Sequence, residues 1–155
     1  EIGSGLVGSE MCIRDRLSDY WNEAAESAKK YGATISDVIS STADWQRLGY
    51  NLQDSKYLSD MTTLYQKVGD NMTQESASEN LISTLQGFKL KAKDAGSIVD
   101  RINEVSNTQP INTSQLGEAL KRSASSFNAA HTDLSSAIAL ITATKQNWLN
   151  VQKCA

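Results

Sequence analysis

Helix-start signals return along this chain roughly every twenty residues, and this spacing restricts its fold more than any other feature. Thr34 stands three residues before Asp37 in a capping-box pattern, and Asn51 stands three before Asp54. Thr73, then Asn112 or Thr113, then Thr132 offer the later starts. Each has a side-chain oxygen that can accept from one of the backbone amides left unpaired at a helix N-terminus. Stops fall between them. Gly32, Gly49 and Gly69 can close helices. Pro110, the one proline, forces the helix before it to end. The expected architecture is all-α, an array or bundle of about six or seven short capped helices, taken from a longer helical protein. The units differ in sequence, so the regular spacing marks an array and not a true repeat.

Between these signals, apolar residues fall three and four apart. Residues 17–31 form an alanine-rich first helix. Ile35, Val38, Ile39, Thr42 and Trp45 mark the second, and Tyr57, Leu58, Met61, Leu64, Tyr65 and Val68 the third, the strongest stripe. Ala77, Leu81, Leu85 and Phe88 share a face of the fourth; Ala95, Ile98, Val99, Ile102 and Val105 share one of the fifth. Leu116, Ala119, Leu120 and Phe127 mark the sixth, and Leu134, Ala137, Ile138 and Ile141 the seventh. Helices of three to four turns are marginal alone in water, so they must hold one another by burying these stripes. The third stripe is expected to be largely buried against the fifth. The longest apolar run, residues 137–141, is expected to be a buried helix face, since it is far short of the ~18 residues of a membrane span.

Reactive chemistry finds little support. His131 is the only histidine and has no ligand-spaced cysteine or carboxylate beside it, so a surface or capping role fits it better than metal binding. Ser123, Ser125 and Ser126 lack a histidine at motif spacing, and no Gly-x-Ser-x-Gly elbow exists. Gly87, Gly96 and Gly117 are isolated, so they form no phosphate-binding loop; the last two lie inside helices, where close helix packing accounts for them. Glu104 and Glu118 would be the pair for a helical wall-degrading enzyme, but exposed helix carboxylates explain them far better. Asn71 and Asn112 fall in sequons that match by chance. Trp21, Trp45, Tyr50 and Tyr57 are the candidates for a partner-binding surface, with Tyr50 and Tyr57 flanking a turn; core packing is the competing use. No catalytic, cofactor-binding or metal residue is expected.

Several stretches resemble phage tail tape measure proteins, the core region of phage-related minor tail proteins. They are residues 36–50 (SDVISSTADWQRLGY), 77–94 (ASENLISTLQGFKLKAKD), 117–124 (GEALKRSA), 129–134 (AAHTDL) and 139–143 (ALITA), in that order. The resemblance covers residues 17–144. It implies a structural protein in the lumen of the tail tube that sets tube length during assembly and leaves ahead of the DNA at infection. The implied partners are the tail-tube protein, tail assembly chaperones and other copies of itself, with contact to the host envelope at ejection. During assembly the implied location is the host cytoplasm. A helical protein-interaction module without a tail role is the alternative from another class, and flanking genes would separate the two.

The two ends depart from this pattern. Residues 1–16 match one reading frame of a transposon-library sequencing adapter at every fixed position, with residues 3–5 falling on its variable index. No apolar stretch there is long enough for a signal peptide. Residues 145–155 replace the family's usual Asn-Lys and Pro-acid continuation, either through a single-base shift near Thr144 or through ordinary divergence. An independent read of the gene without a shift would exclude the first. Both cysteines, Cys12 and Cys154, lie in these ends, so residues 17–144 carry none. That segment holds eleven basic and fifteen acidic residues, a net −4 with the signs interspersed. No basic face argues for sequence-specific nucleic-acid binding.

Overall fold

The computed structural model describes the backbone of residues 5–70 and 72–154 and the side chains of 18–70 and 72–147. Among the described residues seven α-helices succeed one another: α1 (Gly5–Tyr31), α2 (Ile35–Arg47), α3 (Leu52–Val68), α4 (Gln74–Gly87), α5 (Ala95–Thr108), α6 (Thr113–Ala129) and α7 (Leu134–Cys154). A 3-10 turn, Ala92–Asp94, leads into α5. No strand occurs among the described residues. The fold is an all-α bundle.

Most starts are those expected. Thr34 Oγ1 accepts from the Asp37 amide at 3.1 Å while the Asp37 carboxylate accepts from the Thr34 amide at 3.2 Å, a complete capping box. Asn51 Oδ1 accepts from Asp54 N–H at 2.9 Å, Thr73 Oγ1 from Ser76 N–H at 3.1 Å, and Asn112 Oδ1 from Gln115 N–H at 2.8 Å. The expected cap at Thr132 is corrected by one residue. Asp133 starts α7, its carboxylate accepting from Ser135 N–H at 3.2 Å and its carbonyl from Ala137 N–H at 3.0 Å. The Ser136 hydroxyl, aided by the Ser135 and Ser136 amides, holds that carboxyl below the usual range. Thr132 instead finishes the helix before it.

Four helices end in a Schellman pattern, and two of these ends carry no signal in the sequence. Ala33 N–H reaches Ala28 C=O at 2.9 Å, and Tyr50 N–H reaches Trp45 C=O at 3.4 Å, with Gly32 (φ 66) and Gly49 (φ 93) in the left-handed region. Leu90 N–H reaches Leu85 C=O at 2.8 Å, and Thr132 N–H reaches Phe127 C=O at 2.9 Å. There the left-handed residues are Lys89 (φ 54) and His131 (φ 55), whose Cβ atoms crowd the backbone as glycine does not. Lys89→Gly and His131→Gly are each expected to stabilise the fold by up to about 1 kcal/mol, read as a raised thermal midpoint. Midpoints unchanged or lowered in both variants would mean that these corners store no strain.

Around the central α3 lie α1, α2, α4 and α5, and α6 packs most closely on α4 while also meeting α5 and α7. Trp45, Leu58, Tyr65, Leu81, Leu85, Ile98, Ile102, Leu116 and Leu120 are fully buried in one continuous core. The indole N–H of Trp45 donates to Thr62 Oγ1 at 3.2 Å, and its ring meets Tyr50 edge-on with centroids 5.5 Å apart. Gly87 admits Ala124 of α6, while Gly96 and Gly117 admit the hydroxyls of Tyr57 and Tyr65.

The third stripe is buried only in part, which corrects the expectation. Leu58, Met61 and Tyr65 are buried, Leu64 and Val68 are half-buried, and Tyr57 is 37% exposed. In their place α3 buries Ser55, Ser59, Thr62 and Thr63. All four hydroxyls find acceptors within the protein: Thr62 donates to Leu58 C=O at 2.7 Å, Thr63 to Ser59 C=O at 3.0 Å, Ser59 across to Val38 C=O at 3.2 Å, and Ser55 to Tyr50 C=O at 3.4 Å. Small hydroxyl residues bonded in this way can be packed against α2 like apolar ones. Residues 137–141 also divide: Ala137 and Ile138 are buried while Leu140 is 53% exposed.

A second, smaller apolar cluster joins α1 to α2 through Ala24, Ala28 and Val38. The Ser27 hydroxyl donates to the Asp60 carboxylate, and Lys56 pairs with Glu23. Burial holds the Asp60 carboxyl above its ordinary range, against the opposing pull of Ser27 and Lys30. α1 runs without a break across the boundary between residues 16 and 17. The side chains that would bear on the adapter reading lie outside those described, as do those of residues 148–155.

Candidate functional site

The side chains considered for chemistry are dispersed, and most have a local task. His131 is exposed at the left-handed corner after α6. Ser123 Oγ donates back to Ala119 C=O at 2.7 Å within α6, while Ser125 and Ser126 face solvent. Glu118 accepts from Arg122 one turn later, at 3.0 Å from Nε and 2.8 Å from Nη2. Glu104 lies on α5. No group of three or more His, Cys, Asp or Glu residues able to hold a metal occurs among the described residues. Among them, too, no helix is long and apolar enough to cross a membrane.

The aromatic candidates separate in the same way. Trp45 belongs to the core, and Tyr50 is half-buried against it. Trp21 is 55% exposed on α1, and Tyr57, also on the surface, lies near Gly96. Tyr65 is a buried phenol whose hydroxyl sits beside Asn80 without a hydrogen bond of regular geometry. Burial pushes its ionisation well above the ordinary tyrosine range, so it stays neutral.

The helices do leave grooves. One of about 620 Å³ runs between α2 and α4, floored by Ser41 and Ile82 and flanked by Leu48. Asp37, Asp44, Glu75 and Glu79 line it, against Arg47 alone among the cations. Part of that charge is compensated: Arg47 pairs with Asp44 at 2.5 Å, and Glu79 with Lys121 of α6 at 2.5 Å. The Glu79 contact holds the Lys121 ammonium above its ordinary value. Another groove, of about 580 Å³, lies between α6 and α7 beside Ile111, Ala119 and Ile141. A recess of about 130 Å³ between α1, α2 and α3 is closed by Tyr20, Lys56 and Asp60.

The α2–α4 groove could not be read from local spacing, because its walls come from segments some forty residues apart. Only the composition of the two helix faces hinted at it. What the molecule offers is surface between helices, with no set of groups poised around a reacting atom among the described residues.

A family model decides what kind of protein this is: the model described as phage-related minor tail protein matches residues 23–150. The chain belongs to the phage-related minor tail protein family. The match spans the C-terminal third of α1 and every later helix as far as residue 150, so the array as a whole carries the likeness and no single motif does. No solved structure matches the chain. Membership in a phage tail family fits a structural role in the virion.

Proposed function

We propose that this minor tail protein chain is a segment of the tape measure that sets tail-tube length. It would lie in the lumen of the tube, assembled in the host cytoplasm with tail-tube subunits, tail assembly chaperones and other copies, and leave ahead of the DNA. The observation that supports this reading is the family match over an unbroken run of helices. A ruler acts through contour length, and a helix contributes about 1.5 Å per residue whatever its surface side chains are. Tail length should therefore respond to residues removed, not to polar groups exchanged.

In the parent phage, in-frame removal of residues 51–107 is expected to shorten the tail by up to ~1.5 Å per deleted residue. A folded bundle contributes less length than a strung-out one, which makes this an upper bound. Alanine at His131, Glu104 and Glu118 should leave length unchanged. Tails of normal length in electron micrographs after the deletion would remove the ruler role and leave a plug, chaperone-docking or ejection role in its place.

A further inference from the structure

We infer that the α2–α4 groove is a self-docking site that receives the lysine corner between α4 and α5 of a second copy. Two independent observations point to an occupant. The first is charge: four carboxylates and one arginine line the groove, and beside the Arg47–Asp44 and Lys121–Glu79 pairs it keeps Asp37 and Glu75 without a cation paired to them among the described residues. The second is the Ser41 hydroxyl at its floor. Ser41 is only 6% exposed, and its Oγ has no hydrogen-bond partner. Buried hydroxyls are normally paired, so an orphan in a groove floor is a place where an entering group can bond. Gln74 Nε2, on the opposite wall, is likewise inaccessible and unpartnered.

The same chain carries the complementary element. Lys89, Lys91 and Lys93 are exposed within five residues, and Leu90 between them is half-buried. No carboxylate among the described residues forms an ion pair with any of the three. The left-handed turn at Lys89 makes this segment a corner and not a helix face. The corner lies beyond the C-terminal end of α4, whereas the groove is built on the N-terminal part of the same helix. Corner and groove are different patches, so the contact is head-to-tail and can continue from copy to copy. The inference extends the tape-measure reading by giving the copies a contact, but does not depend on it. Copies that dock in this way without setting tail length would keep the contact and lose the ruler.

Sedimentation equilibrium on the purified full chain tests it. The wild type should self-associate at low salt, with a mass that keeps rising with concentration, and should dissociate as salt screens the pairing. A groove variant, Asp44→Lys with Glu75→Lys, and a corner variant, Lys89→Gln with Lys91→Gln and Lys93→Gln, should each self-associate at least about tenfold more weakly. The groove variant keeps a native corner and the corner variant keeps a native groove, so an equimolar mixture restores one wild-type contact per pair. The remaining patches, a lysine-bearing groove and a neutral corner, have no charge complementarity. That mixture should give one-to-one dimers and stop there. If Asp44→Lys with Glu75→Lys disturbs folding by circular dichroism, Asp44→Asn with Glu75→Gln provides the same loss without new repulsion. A wild type that is monomeric at every salt and concentration, or a mixture that does not pair, overturns the contact; a lysine-rich segment of another tail protein then becomes the occupant to seek.

Discussion

Ile102→Asp is expected to unfold the chain. Ile102 is 1% exposed on α5, within the continuous core that also holds Ile98 and Val99. A carboxylate there would have no partner, so it must either lose its charge or draw water into the core. Either costs several kcal/mol, against a total stability for a domain of this size of about 5–15 kcal/mol. Circular dichroism should show loss of the cooperative thermal transition. Leu64→Asp should be far milder, because Leu64 is only half-buried and the new carboxylate can turn to solvent. Two variants with equal, near-native midpoints would show that the core is not centred on α5.

Gly87 carries the second large effect. A Cβ built there would lie 2.5 Å from Ala124 Cβ and 3.1 Å from the Ala124 carbonyl carbon. Because the second of these is backbone, the clash cannot be relieved by turning a side chain. Gly87→Val should therefore force α4 and α6 apart and destabilise by about 3 kcal/mol or more, at the upper end of overpacking effects. Gly87→Ala should cost about 1–3 kcal/mol despite alanine's better helix propensity. Ala124→Gly in the same chain should return part of that loss, because it removes the Cβ that the new methyl meets. Urea unfolding of the two single variants and the double variant gives the coupling. Simple additivity would mean that α4 and α6 do not touch at this pair.

The contrast between these positions shows what the sequence could disclose. Ile102 belongs to a plain three-and-four stripe, and its burial is a direct consequence. The caps at Thr34, Asn51, Thr73 and Asn112 are equally legible, because each is a local contact three residues long. The closing turns at Lys89 and His131 are not. Their left-handed backbone is imposed by the amides of Leu90 and Thr132 reaching back to the carbonyls of Leu85 and Phe127, not by the residue that adopts it. The hydroxyl face of α3 misleads a stripe reading, since Ser and Thr count as polar until their acceptors are known. Close packing can be anticipated for Gly96 and Gly117, which lie inside helices, but not the contact of Gly87 with Ala124, 37 positions away. The candidate groove belongs to the same class: Ser41 and Gln74 come together only when α2 and α4 are set side by side.

The division of the apolar interior into two clusters has a mechanical meaning. Among the described residues, α1 is held by Ala24 and Ala28 against Val38, and by polar contacts to Lys56 and Asp60. The main core draws no described residue from α1. Pulled from the α1 side, the bundle would therefore yield in two stages. A low force would peel off α1 while the remaining helices kept their packing, and a higher one would be needed to open α3 from α4 and α5. A molecule built this way can lengthen stepwise under load while part of it stays folded.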